Sequence, residues 1–577
     1  MAPRVAARKF KTSGPEILLT VATGLIALAI ALPILTILFL SFSSQENIWP
    51  HLLSTVLPGY IWRTLGLLAG VGFLTFAIGT ATAWIITMYE FPLRRVLQWA
   101  CFMPLAMPSY IVSYVYVDFL NYAGPLQTWL RGAAGWSAPT DYYFPEIRSL
   151  SGAIFVLSMV LYPYVFMTAR ASFLRQPASQ LEVARTLGKT SWGAFIAIAL
   201  PQARPAIVVG VSLALMECLN DIAAVNFFGV PTLTLGIYTT WLGQGNIGGA
   251  AQLAGVVLIF VFALSWVERQ ARNRQPAMQH SHRQTGGRRL RLGGWRGTGL
   301  SLICVLPIFF GFIAPGLILL RFAALQMASW FSTSYFNAVW HSLLLSALAS
   351  LIVVGLGLIL AYGHRAKGAH GINQIIRLAN IGYAIPGTVL GIGVLIPLAA
   401  FDIRLDMIMR ESLGISTGLV LSGTVVAVIF AYSVRFLAIS FGSLESGLEK
   451  VTPNLTAAAR ILGRTAFRTM IEVHLPILRP ALITAALLVF VDCMKELPAT
   501  LILRPFDFDT LATLVFTLTS LDQLEASAAP ALTIVAAGLI PIILLARNLR
   551  DPELRNVPER FEHFQSRNPK YAGRITE

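Results

Sequence analysis

The chain has 577 residues, 56% of them hydrophobic and only 12% charged, with a formal net charge of +16. A soluble globular protein carries about 25% charged residues, so this composition excludes an ordinary soluble domain and points to a polytopic membrane protein. The length exceeds what one hydrophobic core usually organises, and two domains are expected.

A bilayer requires roughly 20 apolar residues of helix. Taken in chain order, stretches of that kind fall at 17–42, 64–87, 97–119, 151–172, 201–225 and 248–268, then at 298–321, 340–363, 376–399, 415–438, 478–502 and 527–546. These predict an all-α fold of about twelve transmembrane helices, six in each half. Unpaired backbone is not tolerated in hydrocarbon, and continuous hydrophobicity is unlike the alternation of a barrel. The first stretch follows Arg4, Arg8, Lys9 and Lys11. It is longer than the roughly 7–15 residues of a signal-peptide core and reads as an uncleaved anchor.

Basic residues cluster at the N-terminus, at Arg94 and Arg95, at Arg170, Arg175, Arg185 and Lys189, and from Arg269 to Arg296. They recur at Arg365 and Lys367, at Lys450, Arg460, Arg464 and Arg468, and in the C-terminal tail. These are alternate loops, which by the positive-inside rule places both termini in the cytoplasm. Topology therefore accounts for the charge, and no nucleic-acid partner is expected. Cys101, Cys218, Cys304 and Cys493 lie in or beside apolar stretches without CxxC spacing, so neither a disulfide framework nor a zinc site is expected.

The tract from Arg269 to Arg296 is rich in Arg, Gln, His and Gly and has no apolar period, as expected of a linker. It divides the chain into a first transmembrane domain (1–270), a basic linker (271–297), a second transmembrane domain (298–548) and a tail (549–577). The halves align: Thr64-Leu, Gly79 and Ala83-Trp84 return at one constant step as Ser342-Leu, Gly357 and Ala361-Tyr362. An even number of spans per half makes this a parallel repeat about an axis along the membrane normal, with a path between the halves. Gly66 and Gly70, and Gly387 and Gly391, have the spacing that lets helix backbones approach closely.

A longer phrase occurs twice. Glu182-Val-Ala-Arg-Thr-Leu-Gly188, followed by Leu200-Pro201-Gln-Ala-Arg204-Pro205, returns as Ala457-Ala-Ala-Arg-Ile-Leu-Gly463 and Leu475-Pro476-Ile-Leu-Arg479-Pro480, with every landmark displaced by the same step. A repeat this long makes the unit half a chain. Each copy predicts a cytoplasmic helix-turn-helix. Glycine supplies the left-handed turn, a short amphipathic helix ends at Leu-Pro, and proline opens the next membrane segment. Small residues such as Ala184, Ala458 and Ala459 leave room for a partner surface. Gly188-Lys189-Thr190 is not a phosphate-binding loop, which needs glycine where Val183 stands.

After each phrase come acids that hydropathy would not predict. Glu217 and Asp221 are spaced i, i+4, hence on one helical face, and Asp492 and Glu496 match them at the step of the repeated phrase. An ionised group inside a membrane costs at least about 2.5–3.5 kcal/mol unless it faces a cavity or a partner. The four acids read either as a central, cation-friendly path or as a structural polar interface, and in neither case as tight metal ligands, because a conduit must release its cargo. No HExxH pair is present. His364, His370 and His474 are expected to be solvated, in cytoplasmic-side loops.

The repeated phrase resembles the cytoplasmic loop signature of ABC importer permeases: Glu182, Ala184, Gly188, Ile198, Leu200 and Pro201 match it, and so do Ala458, Ala459, Gly463, Val473, Leu475 and Pro476. The first copy departs at Val183 and the second has Ala457 in place of the acid. Met216 to Gly229 with Thr234 to Trp241, and Lys495 to Ala512, resemble the two halves of fused ferric-iron importer permeases. The resemblance implies two type I importer transmembrane domains in a bacterial inner membrane. It implies a transport subunit with no catalytic residue and no bound cofactor of its own. ATP and Mg²⁺ would bind a separate ATPase dimer docked on the two phrases. A periplasmic ferric-binding protein would dock near 43–62, 120–150, 401–414 and 503–526. Ferric iron prefers oxygen donors, with which Tyr110, Tyr114, Tyr162 and Tyr164 are compatible. Related permeases import thiamine, phosphonates or polyamines, and a secondary transporter is a further alternative.

Overall fold

Long apolar runs leave the backbone no partner but itself, and the described residues are helical almost throughout. The computed structural model describes residues 14–43, 49–176, 183–184, 186–273, 289–365, 376 and 380–548. The principal helices of the first half are α1 (Gly14–Ser43), α2 (Leu57–Met88), α3 (Ser109–Leu120), α4 (Leu150–Arg175), α5 (Leu200–Asn220) and α6 (Ile247–Asn273). Those of the second are α7 (Gly294–Leu325), α8 (Thr333–Arg365), α9 (Gly387–Leu413), α10 (Val425–Leu448), α11 (Leu475–Lys495) and α12 (Leu524–Asn548). Among the described residues 11 helices are long and apolar enough to cross a membrane, or 12 if the pair Arg94–Ala106 and Ser109–Ala134, bent by 89°, is one span.

That bend lies inside the expected span 97–119. Proline has no N–H and pushes the residue before it out of the helical region; Met107 and Pro108 are accordingly extended, with ψ 115° and 133°, and α3 starts at Ser109. The second half repeats the device: a 3₁₀ turn at Asn380–Ala384 leads to Pro386, ψ 142°, and α9. The expected span 415–438 is displaced to α10. Its first residues form turns held by carboxylates of α9 instead. Asp406 Oδ1 accepts from Thr417 N at 2.8 Å, and Asp402 Oδ2 accepts from Ser422 N at 2.7 Å and Ser422 Oγ at 2.6 Å.

The aligned Thr64 and Ser342 have one structural role. Each hydroxyl accepts from the backbone at the start of a later short helix, Leu233 N at 3.1 Å and Leu511 N at 2.7 Å, satisfying a donor that a helix N-terminus leaves free. Of the two glycine pairs only Gly387 meets a neighbouring backbone atom, Ala499 N; Gly66, Gly70 and Gly391 make room for side chains instead. A Cβ at Gly70 would lie 2.5 Å from Ile154 Cδ1, and one at Gly391 would lie 2.6 Å from Ile502 Cγ2.

The two halves interlock through their first helices. α1 packs on α6 of its own half and on α8 and α9 of the other. α7 lies against the first half, where Tyr116 Oη donates to Phe310 O at 2.6 Å. The described end of the linker region is tied down as well. Leu290–Arg291 pairs in parallel with Tyr89–Glu90, Leu292 N donates to Glu90 O at 2.9 Å, and Ser301 Oγ donates to Pro92 O at 2.7 Å.

One consequence is measurable. A Cβ at Gly311 would fall 2.2 Å from Met159 O, a backbone atom that cannot step aside. Overpacking of this kind costs about 1–3 kcal/mol. Gly311→Ala is therefore expected to lower the thermal midpoint of the detergent-solubilised protein by several degrees. Gly299→Ala, on the same helix with nothing within 4 Å, is expected to leave it unchanged. Equal midpoints for the two variants would refute this account of the interlock.

Candidate translocation cavity and coupling loops

The four acids do converge, but not by lying on continuous helices. α5 ends at Asn220, and Asp221 is extended (φ −87°, ψ 91°) before the short helix Ile222–Phe227. Glu217 and Asp221 thus do not share one helical face. Asp221 Oδ1 caps the new helix by accepting from Ala224 N at 2.8 Å. In the second half α11 ends at Lys495 and Pro498–Leu503 follows. Glu496 Oε1 accepts from Ala499 N at 3.0 Å, while Oε2 accepts from Thr500 N at 3.0 Å and Thr500 Oγ1 at 2.7 Å. A carboxylate suits both places because a helix N-terminus offers free N–H groups and a positive dipole end. Continuous hydropathy over 201–225 and 478–502 hides both breaks.

Between the halves lies a cavity of about 80 Å³ lined by Glu217, Asp221, Asp492 and Glu496 together with Arg435 and Lys495. Polar contacts across it join α5 to the second half. Tyr383 Oη donates to Glu217 Oε1 at 2.8 Å, and Gly387 N donates to Asn220 Oδ1 at 2.7 Å. Arg435 Nη1 donates to Asn220 Oδ1 at 2.6 Å and lies 3.3 Å from Glu496 Oε1. Lys495 Nζ is 2.8 Å from Asp492 Oδ1. Tyr110 and Tyr164 line the cavity. Tyr114 is engaged elsewhere, accepting from Ser527 Oγ at 3.1 Å, and Tyr162 is buried outside the lining. Among the described residues no three His, Cys, Asp or Glu side chains are placed to hold a metal ion.

Sequence reasoning missed Arg435, Tyr383 and the bridging role of Asn220. A signal for the first was available: an arginine within an apolar span is costly and marks a partner or a path, and the equivalent position of the first half holds Val160.

At one end of the helices the repeated phrases form matched turns. Gly188 and Gly463 adopt φ of +78° and +77°. Lys189 N donates to Ala184 O at 3.0 Å and Arg464 N to Ala459 O at 3.1 Å. This is the bond that closes a helix over a left-handed glycine, so Ala184 and Ala459, both buried, are the acceptors that end their helices. Leu187 at the first turn and Ile461 and Leu462 at the second are at least 77% exposed. Glu182 lies outside the described residues.

The amphipathic piece does not stop at Leu-Pro as expected. Trp192–Asn220 and Phe467–Lys495 run on as single helical stretches, each through a π turn in which Leu200 N donates to Phe195 O and Leu475 N to Met470 O. Widening the turn by one residue accommodates Pro201 and Pro476, which can neither donate a bond nor clear the carbonyl four residues back in a regular helix. His474 is likewise not solvated: it is buried, its Nδ1 3.0 Å from the Tyr362 hydroxyl and its Nε2 3.1 Å from that of Thr456. His364 Nε2 lies 3.3 Å from Glu445, and His370 is outside the described residues.

Paired helical halves, matched loops at one end and a polar cavity between the halves define a membrane permease built from a parallel repeat. Residues 74–272 match the family described as the binding-protein-dependent transport system inner membrane component. The chain as a whole is similar to permeases of such ABC import systems in fused two-domain form. It is similar to the Fe(3+)-transport system permease protein FbpB 2 of Haemophilus influenzae, with 24% identity over 543 residues, 92% of this chain and 98% of that protein. The putative ferric transport system permease protein FbpB 1 of the same organism is 22% identical over 506 residues, 84% of this chain and 77% of that one. The sulfate transport system permease protein CysW of Escherichia coli is 26% identical over 235 residues, 38% of this chain and 78% of CysW.

Proposed function

We propose that this chain is the membrane-spanning subunit of an ATP-driven importer that carries ferric iron, delivered by a periplasmic binding protein, into the cytoplasm. Similarity along 92% of the chain to a permease named for Fe(3+) transport carries the reading. The cavity supports it chemically, since four carboxylates face only two cationic side chains there and hard cations prefer oxygen donors. In this reading Gly188, Gly463 and their neighbours Ala184, Ala459, Leu200, Pro201, Leu475 and Pro476 dock a separate ATPase dimer, which binds ATP and Mg²⁺. Both termini lie on that cytoplasmic side. Closure of the ATPase dimer moves the loops together, and the halves rock about the cavity between them, admitting cargo at one face and releasing it at the other. The chain itself performs no hydrolysis.

The test is uptake of radiolabelled ferric iron by iron-starved cells with and without the chain, challenged with unlabelled thiamine, polyamine, phosphonate and sulfate. Iron uptake that falls at least tenfold on deletion, returns with the intact gene and ignores these competitors is the expected result. Unchanged iron uptake with loss of another substrate would keep the importer class and overturn the ferric cargo.

A further inference from the structure

Equivalent positions of the two halves build the cavity, yet its two sides end in different states. On the second-half side Glu496 has both oxygens engaged, Oε1 by Ala499 N and Arg435 and Oε2 by Thr500, and Asp492 is paired with Lys495. On the first-half side Glu217 is held by Tyr383. Asp221, however, keeps Oδ2 buried without a hydrogen-bond partner among the described residues, and so does the hydroxyl of Tyr110. Both residues are only 6% exposed and both line the cavity. The Ser109 hydroxyl, which also lines the cavity, donates to the Asp221 carboxylate. The helix that Asp221 caps packs on α3, whose second residue is Tyr110.

Divergence between the repeats produces this asymmetry. Where the second half has Arg435, Tyr383 and Lys495, the first has Val160, Leu105 and Asn220. Every group that neutralises an acid of the cavity by charge therefore comes from the second half, and the Asp221 side is left open. Thr388, the counterpart of Tyr110 in the second half, does not line the cavity. Buried polar oxygens are ordinarily satisfied, and two that are not, in one cavity, call for an occupant. A third unpartnered atom there, Arg435 Nε, is a donor and suits an oxygen ligand that an incoming ion retains.

We infer that Asp221 Oδ2 and the Tyr110 hydroxyl form a transient site for a hard, oxygen-seeking cation on the first-half side of the path; this rests on the ferric reading above. When a ferric ion binds, the phenol proton passes to solvent and the phenolate oxygen becomes a ligand. So few protein oxygens do not trap such an ion, as a way-station requires.

The probe is ferric nitrilotriacetate added to the full-length chain in lipid nanodiscs, where a ferric phenolate absorbs visible light. Wild type is expected to develop this band. Tyr110→Phe, which removes only an unpartnered hydroxyl, abolishes it; Asp221→Asn weakens apparent affinity at least tenfold; Thr388→Val retains it. In cells carrying the complete transporter, Tyr110→Phe at equal membrane abundance lowers initial ferric uptake at least tenfold. No band in wild type, an unchanged band in Tyr110→Phe, or wild-type uptake by that variant overturns the site. Failure of the ferric reading shows separately, as the absence of chain-dependent iron uptake by wild-type cells.

Discussion

Arg435→Met is expected to destabilise the chain more than any other single change in the cavity and to abolish transport. Its guanidinium is 5% exposed and lies 3.3 Å from Glu496, which is 2% exposed. It also reaches Asn220 at 2.6 Å and approaches Glu217 at 4.0 Å, both in the other half. Removing one member of a buried ion pair strands the remaining charge, at a cost of about 3–5 kcal/mol. The expected signature is a large drop in the thermal midpoint in detergent with loss of uptake. A double-mutant cycle isolates the pair, since residues in one network couple by about 0.5–3 kcal/mol. Glu496→Gln in the Arg435→Met background removes the stranded charge and is expected to recover part of the lost stability, although the amide satisfies the Ala499 and Thr500 donors less well. If the two losses simply add, Arg435 does not serve as the counter-charge of Glu496.

The second large effect concerns the loops. A side chain at Gly188 or Gly463 must adopt φ near +78°, which costs an L residue about 1–2 kcal/mol and a β-branched one more. No atom lies within 4 Å of the added Cβ at either position, so the damage is to the turn's direction rather than to internal packing. The Gly188→Val, Gly463→Val double variant is expected to insert and fold, with a midpoint lowered about as much as that of Gly311→Ala. Its recovery of the ATPase subunit on copurification and its uptake should each fall more than tenfold. Asn, which tolerates the left-handed region, is expected to restore both. Normal coassembly and uptake in the valine variant would remove the loops as the docking site.

Much of the architecture was legible because it repeats. One step along the chain joins Gly188 to Gly463 and Asp221 to Glu496, and a slightly longer one joins Thr64 to Ser342. The breaks at Met107–Pro108, Asp221 and Glu496 were not legible, because hydropathy averages over a window and is blind to one extended residue inside an apolar run. The π turns before Pro201 and Pro476 were hidden for the opposite reason: proline reads as a boundary, whereas here the helix absorbs it.

The linear chain by itself determined the class of molecule. Apolar run lengths, the alternation of basic loops and a duplicated glycine turn are local properties, and each is enforced by bilayer thickness or by backbone sterics wherever the segment ends up. Which acids keep a free oxygen is not local. Arg435 pairs with Glu496 through the packing of helices within the second half, and it approaches Glu217, at 4.0 Å, only because one half packs on the other. Tertiary structure therefore decided that the two acid pairs, alike in spacing, are unlike in state: in a low-dielectric interior the charge of a carboxylate depends on which partner lies within a few ångströms of it.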